Sequence, residues 1–263
     1  RASLRRCPVI SQLRLALPRL ITTLHQIELS SKCQLKCVYC PSPTMKRPQG
    51  FMARAHFLAS LDWVRFFVRR GPQGELNLAG TGESTLHPDF PEFIGLARAA
   101  LGPVQALLFP TNGIALTEEI VEACVRHDCR VYVSLHQGSR AGMPAIQLAK
   151  RRGVLAGYSV DAAVQPTDWA GQVKDWPVSL TEETRCPWIR EGWCMVLSDG
   201  RLTTCSFDAE GAGVVGLVTD APGSLSVAPY SLCASCHQQI GVIGHEQWGP
   251  AGMPRHLLPI VPG

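Results

Sequence analysis

Charge is scarce in this chain. Of 263 residues only 17% are Asp, Glu, Lys or Arg, and 25 basic residues stand against 21 acidic ones, a net charge of +4. That balance excludes a charge-driven disordered chain and offers little basis for a nucleic-acid partner. Long apolar runs are missing too. The stretches without charge, Ala99–Thr117 and Ala221–His245, are broken by Pro, Gly, Asn, Gln and Ser, so no membrane span is expected. Basic residues come first, and Arg14 and Arg19 interrupt any apolar core of a signal peptide. There is no internal repeat and no low-complexity tract. With 46% hydrophobic residues the composition is globular.

Cysteine is what the sequence has in excess: 11 of them, unevenly spread. Cys33, Cys37 and Cys40 share one short loop; Cys186, Cys194, Cys205, Cys233 and Cys236 form a second group; Cys7, Cys124 and Cys129 are scattered and read as structural. Disulfide scaffolds belong to short secreted domains, so clustered thiols here point to metal or iron–sulfur ligation in a reducing compartment, the cytoplasm.

Between residues 24 and 165 short apolar strands alternate with helical stretches. Leu24–Leu29, Glu75–Ala79, Val104–Phe109, Arg130–His136 and Gly157–Gln165 read as strands, with Pro177–Leu180 a candidate sixth; Phe51–Arg70, Pro91–Ala100, Glu118–His127 and Pro144–Arg152 read as helices. Such alternation means βαβ units and a parallel sheet. Val131, Val133 and Leu135 share one strand face, while Tyr132, Ser134 and His136 share the other. Gln26, Glu28 and Ser30 form a similar polar face. A flat sheet covered on both sides would be apolar on both faces, so a partial barrel with a polar lumen is expected. Sites on barrels lie at the C-terminal strand ends, where Ser30, Asn77, His136, Asp161 and Gln165 fall. After Thr184 the pattern changes to a hairpin, residues 191–205, turning at Asp199-Gly200, followed by Gly/Pro-rich loops. Such a segment needs a metal cluster to stabilise it.

The loop Cys33-Gln-Leu-Lys-Cys37-Val-Tyr-Cys40 directly follows the first strand. Three thiolates can hold three irons of a [4Fe–4S] cube and leave the fourth iron open, whereas a structural zinc site would need a fourth ligand. This CxxxCxxC loop resembles that of the radical S-adenosylmethionine (SAM) superfamily, and the resemblance continues in order. Gly80-Thr81-Gly82-Glu83 looks like the family's glycine-rich motif that holds the SAM amino group, with Ser84 where Pro is usual. Thr111-Asn112-Gly113 resembles the SAM-side turn, Ser134 matches a position that contacts the SAM carboxylate or ribose, and Tyr39 matches the aromatic residue beside the adenine. Cys186, Cys205, Cys233 and Cys236 resemble the auxiliary-cluster pattern of the SPASM/twitch branch, with zinc as the competing reading.

The resemblance implies an α/β fold: a partial (β/α)6 radical SAM barrel over residues 1–180, a small C-terminal twitch-type iron–sulfur domain over 181–245, and a tail over 246–263. It implies two [4Fe–4S] clusters, SAM, and an electron donor such as flavodoxin or ferredoxin. The expected reaction is hydrogen abstraction from a small molecule by a 5′-deoxyadenosyl radical, then oxidation of an alcohol or amine carbon with the auxiliary cluster as electron acceptor. His136 or Asp161 would take the proton, and Glu28, Gln165 and Trp169 would face substrate. Cys194 reads as a buried hydrophobe, an alternate ligand or a hydrogen-atom donor, the last of which would suit a redox-neutral epimerase or mutase. Modification of a peptide side chain or nucleobase is a weaker expectation, because peptide maturases usually carry an N-terminal recognition domain and 32 residues precede Cys33. The chain also resembles the 2-deoxy-scyllo-inosamine dehydrogenases, but their Asn-Arg-Gly-Gly-like turn is Asp168-Trp169-Ala170-Gly171 here. An aromatic ring in place of a guanidinium puts the same aminocyclitol substrate in doubt.

Overall fold

A computed structural model describes residues 18–71, 73–135, 140–159, 169–174 and 186–236. Five parallel strands form its centre: β2 (Thr23–Ile27), β3 (Glu75–Asn77), β4 (Ala106–Thr111), β5 (Cys129–Ser134) and β6 (Leu155–Ser159), after a short β1 (Arg19–Leu20). Helices α1 (Arg54–Val68), α2 (Phe90–Leu101), α3 (Glu118–Arg126) and α4 (Met143–Arg151) make the crossovers. The candidate strand Pro177–Leu180 and the second half of Gly157–Gln165 lie outside the described residues.

Strand order is sequential from β2 to β6. Right-handed crossovers between successive neighbours put every helix on the same face of the sheet, which leaves the other face as the inside of a barrel. The core confirms this. Leu24, Ile27, Leu76, Leu78, Leu107, Phe109, Val131, Val133 and Leu135 meet the buried faces of all four helices in one cluster. In α1, Phe57, Leu61 and Val64 follow the helical spacing, and Phe57 stacks on Phe93 of α2 at 3.9 Å. α3 starts where Thr117 Oγ1 accepts from Ile120 N at 3.3 Å.

The C-terminal segment continues the same sheet. After α5 (Pro187–Glu191), β7 (Trp193–Val196) pairs in parallel with the free edge of β2, and β8 (Arg201–Thr203) and β9 (Val214–Leu217) follow antiparallel. Gly200 makes the expected turn with φ +86°. A last strand, β10 (Ser226–Val227), pairs with β1. No helix among the described residues is long and apolar enough to cross a membrane.

Candidate active site

The loop after β2 carries the first three thiols. Cys33 and Cys40 are half-buried and Cys37 is buried; none of the ten described cysteines is in a disulfide. Burial pushes Cys40 up to about 11, and the neighbouring Cys37 and Cys33 push it the same way. The sulfurs face hydrogen-bond donors: Leu35 N at 3.4 Å from Cys33 Sγ, Ser42 N at 3.5 Å from Cys40 Sγ and Asn112 Nδ2 at 3.8 Å from Cys33 Sγ. Thiols that are costly to ionise alone and already face N–H groups fit a cationic cluster that displaces their protons.

The glycine-rich turn is locked to this loop. A Cβ on Gly82 would lie 2.4 Å from Ser30 O, and one on Gly80 would lie 2.1 Å from Glu28 Cγ, so only glycine permits the approach. Glu83 N donates to Lys32 O at 2.8 Å. The Glu83 carboxylate is held by the surrounding turns. It is buried, and it accepts from Thr85 N (3.2 Å), Thr85 Oγ1 (2.6 Å), Thr111 Oγ1 (2.9 Å) and Asn112 N (2.8 Å). Oε1 takes three of these donors and Oε2 only Asn112 N, so Oε2 keeps a free acceptor site while the carboxylate fastens the Thr111-Asn112-Gly113 turn against the thiol loop. The Thr111 hydroxyl also accepts from Gly113 N at 3.0 Å. Asn112 bridges Gln34 Nε2 and Cys33 Sγ, a contact to the thiol that its sequence position did not indicate. Thr81 and Tyr39 are buried beside the same loop, and Ser134 at the end of β5 is half-buried and meets Ser159 Oγ at 3.3 Å.

The Glu28 carboxylate is held by neighbouring segments too. Its side chain is fully buried and ion-paired to Arg47 Nη2 at 2.9 Å; it also accepts from Thr81 N and Ser198 N, each at 2.9 Å. Arg47 in turn donates to Ser198 Oγ at 3.1 Å and Ala209 O at 2.8 Å. The carboxylate therefore joins β2, the glycine turn, the segment after the first thiols and the β7–β8 hairpin. Nothing in the sequence marks Arg47 as its partner.

Cys186, Cys205, Cys233 and Cys236 line one pocket of about 370 Å³, counting space open to solvent, together with Trp188, Phe207 and Tyr230. Burial pushes Cys186 up to about 12, with Cys236 and Cys233 adding to the shift. Tyr230 Oη lies 3.1 Å from Cys205 Sγ, a contact absent from the sequence reading. Among the described residues no three Cys, His, Asp or Glu side chains converge closely enough for a single metal ion. Trp169 packs edge-on against Phe207 at 5.6 Å, at the rim of this pocket. It and Ala170 adopt φ of +53° and +58°, and Ser235 Oγ donates to Ala170 O at 2.6 Å.

Cys194 takes the place of a buried hydrophobe. It is fully buried in the main core, on the helix-covered face with Leu24 and Val196, and its thiol lies 3.6 Å from Thr23 O. A thiol on the outer face of the sheet cannot deliver a hydrogen atom to the lumen, nor reach the other cysteines as a ligand. His136, Asp161 and Gln165 lie outside the described residues.

A family model described as the Radical SAM superfamily matches residues 27–172. Mycofactocin maturase MftC of Mycobacterium ulcerans (strain Agy99) is 30% identical over 105 residues, which are 39% of this chain and 26% of that protein's length. Among solved structures, BtrN in complex with AdoMet and 2-DOIA superposes with a TM-score of 0.63 at 19% identity, covering 77% of this chain and 80% of that one. The structure of anSMEcpe with bound AdoMet gives 0.53 at 17% identity, covering 76% and 78%. At such identities the structural likeness speaks for the fold.

Proposed function

Because the chain belongs to the Radical SAM superfamily, we propose that it is a two-cluster enzyme of the SPASM/twitch type that oxidises a small molecule at a carbon bearing a hydroxyl or amine. The observation that carries this reading is the convergence of four thiols from distant sequence positions, Cys186, Cys205, Cys233 and Cys236, on one pocket. When bound, SAM and a cluster on the first thiols would supply hydrogen-atom abstraction, and a cluster on the C-terminal thiols would supply a one-electron acceptor.

The chain's own part is placement. Cys33, Cys37 and Cys40 hold the first cluster, with Asn112 Nδ2 and two backbone N–H groups turned to the sulfurs. Gly80 and Gly82 keep the backbone close to that loop, and Glu83 holds Asn112 in position. Thr81, Tyr39 and Ser134 border the space for SAM. The four C-terminal thiols hold the second cluster, where Tyr230 meets Cys205. His136 or Asp161 serves as proton acceptor, and a flavodoxin or ferredoxin supplies the reducing electron. The ligands named with BtrN, AdoMet and 2-DOIA, accord with a small molecule bound beside SAM. The burial of Cys194 in the main core favours this reading over a redox-neutral epimerase that would use its thiol.

Anaerobic reconstitution tests the proposal. Iron and sulfide should each approach about eight per chain, the content of two cubes, and Cys233→Ala with Cys236→Ala should remove about half. Turnover in D₂O should give a product two mass units lighter than substrate. Zinc in the C-terminal site, or a product one unit heavier, would overturn the reading.

A further inference from the structure

The turn at residues 169–172 is held in a conformation that its residues disfavour. Trp169, Ala170 and Gly171 have φ of +53°, +58° and +85° in succession. Glycine takes this left-handed region readily, but in tryptophan or alanine it crowds Cβ against the backbone. Such a stretch persists only where its surroundings over-determine it. Ala170 is 1% exposed and lines the pocket of the C-terminal thiols, so the turn forms part of that pocket's cover.

The groups that hold it come from the segment that carries those thiols. Trp169 packs against Phe207, which follows Cys205 by two residues. Gln172 Nε2 donates to Trp169 O at 2.7 Å and also to Phe207 O. Ser235 Oγ donates to Ala170 O at 2.6 Å, and a Cβ on Gly171 would lie 2.9 Å from the same oxygen, so the turn closes directly onto Ser235. Ser235 stands between Cys233 and Cys236, at the end of a short helical turn (Ser231–Ala234), where Cys236 N donates to Cys233 O at 3.4 Å. Its hydroxyl has a second acceptor inside that turn, Leu232 O at 3.3 Å. A hydroxyl has one hydrogen to give, so Ser235 is satisfied either across the pocket or locally. That makes it a two-state element.

We propose that Ser235 is a positioning residue that couples the filled C-terminal thiol site to the 169–172 turn. This rests on the two-cluster reading above and adds a coupling that neither thiol group shows by itself. A cluster held by Cys233 and Cys236 fixes the backbone on both sides of Ser235 and keeps its hydroxyl aimed at Ala170 O. The strained turn is thereby clamped over the pocket. Without that anchor the bond to Leu232 O competes, and release of the turn relieves the strain at Trp169 and Ala170. Coupling of this kind is reciprocal: if the cluster favours the clamped turn, the clamped turn retains the cluster by the same factor.

The test is hydrogen exchange under argon, read by mass spectrometry on peptides that contain residues 169–174. Fully loaded protein is compared with the Cys233→Ala/Cys236→Ala variant. Exchange in these peptides should be about fivefold slower in the loaded protein, the worth of one neutral hydrogen bond. Ser235→Ala should lose that protection and should exchange at the same rate with or without the two Cys substitutions, a result that a bond serving packing alone would not give. Ala170→Pro fixes φ at about −65° and forbids the clamped turn, so a chelator should strip iron from the C-terminal site about fivefold faster, the same factor read from the other end of the coupling. Ala170→Gly, which removes strain, should lose iron no faster than the parent protein. Iron of about four per chain in the parent protein, the content of one cube, would overturn the two-cluster reading and the coupling with it. Iron of about eight with exchange at 169–174 indifferent to the second cluster, or with Ser235→Ala still responding to it, would overturn the coupling alone.

Discussion

The Glu28–Arg47 pair makes the sharpest prediction, because its two readings part company in one variant. As a substrate contact, Glu28 would be a ligand that can be lost without loss of fold. As the structure places it, the carboxylate is fully buried, and Arg47 is 2% exposed in its side chain. Glu28→Gln removes the charge and turns an amide N–H₂ toward Thr81 N or Ser198 N, both of which donate to the native carboxylate. The Arg47 guanidinium then stays buried with Ser198 Oγ and Ala209 O as its remaining partners. Breaking a buried pair by removing one partner costs about 3–5 kcal/mol, a value seen only where a named mechanism of this kind operates. Arg47→Met should cost a similar amount. The double variant should cost clearly less than the sum, since neither uncompensated charge survives, with a coupling of about 2 kcal/mol or more.

The assay is urea unfolding of cluster-loaded protein under argon, followed by tryptophan fluorescence, with iron retention measured in parallel. Because the pair ties the first thiol loop's trailing segment to the β7–β8 hairpin, iron should be lost at lower urea in both single variants. Costs below about 1 kcal/mol, the size of an ordinary surface effect, or strict additivity in the double variant would refute this reasoning. Full stability with a raised KM would return Glu28 to the substrate.

Glu83→Gln should leave one of its four donors facing an amide N–H₂, shift Asn112 away from Cys33 and alter the electron paramagnetic resonance spectrum of the reduced first cluster; an unchanged spectrum with weaker SAM binding would point to a direct hold on SAM instead. Tyr230→Phe removes the hydroxyl 3.1 Å from Cys205 Sγ, and losing about 1 kcal/mol from the reduced state should lower the auxiliary potential by about 40 mV in a redox titration. Cys194→Ala should cost stability by about 1 kcal/mol as a small core truncation while leaving solvent deuterium in the product unchanged. Glu75 and His25 give the stability a pH dependence with two opposed limbs. Glu75, raised from 4.5 to about 7, makes the folded chain hold a proton that the unfolded chain releases, so stability falls as pH rises through that window by about 3 kcal/mol. His25, lowered from 6.5 to about 4, keeps the folded chain neutral where the unfolded chain takes a proton, so stability falls as pH drops through that window. Denaturation midpoints of Glu75→Gln measured across pH should keep the acid limb and lose the other.

What the sequence made legible follows from periodicity and spacing. Alternation along residues 130–135 places Val131, Val133 and Leu135 together, and the core contains all three. The nine strands and helices expected between residues 24 and 165 coincide with β2–β6 and α1–α4 to within a few residues where they are described. Three side chains show what residue type alone leaves open. For each, the deciding fact is which distant atom meets it. Glu28 is polar and near a strand end, but its use is set by Arg47 and by Ser198 N, 170 residues away in sequence. Glu83 sits in a motif associated with SAM, and its Oε1 is taken by Thr85 and Thr111 while Oε2 meets Asn112 N alone. For Cys194, both faces of β7 are apolar, so alternation within the strand says nothing about direction. Only the parallel register with β2, which sets Cys194 beside Leu24 and Met195 beside Gln26, decides that the thiol joins the outer core and the thioether the lumen. The same register argument turns Glu75 inward, so strand parity becomes chemistry only once a neighbouring strand fixes it.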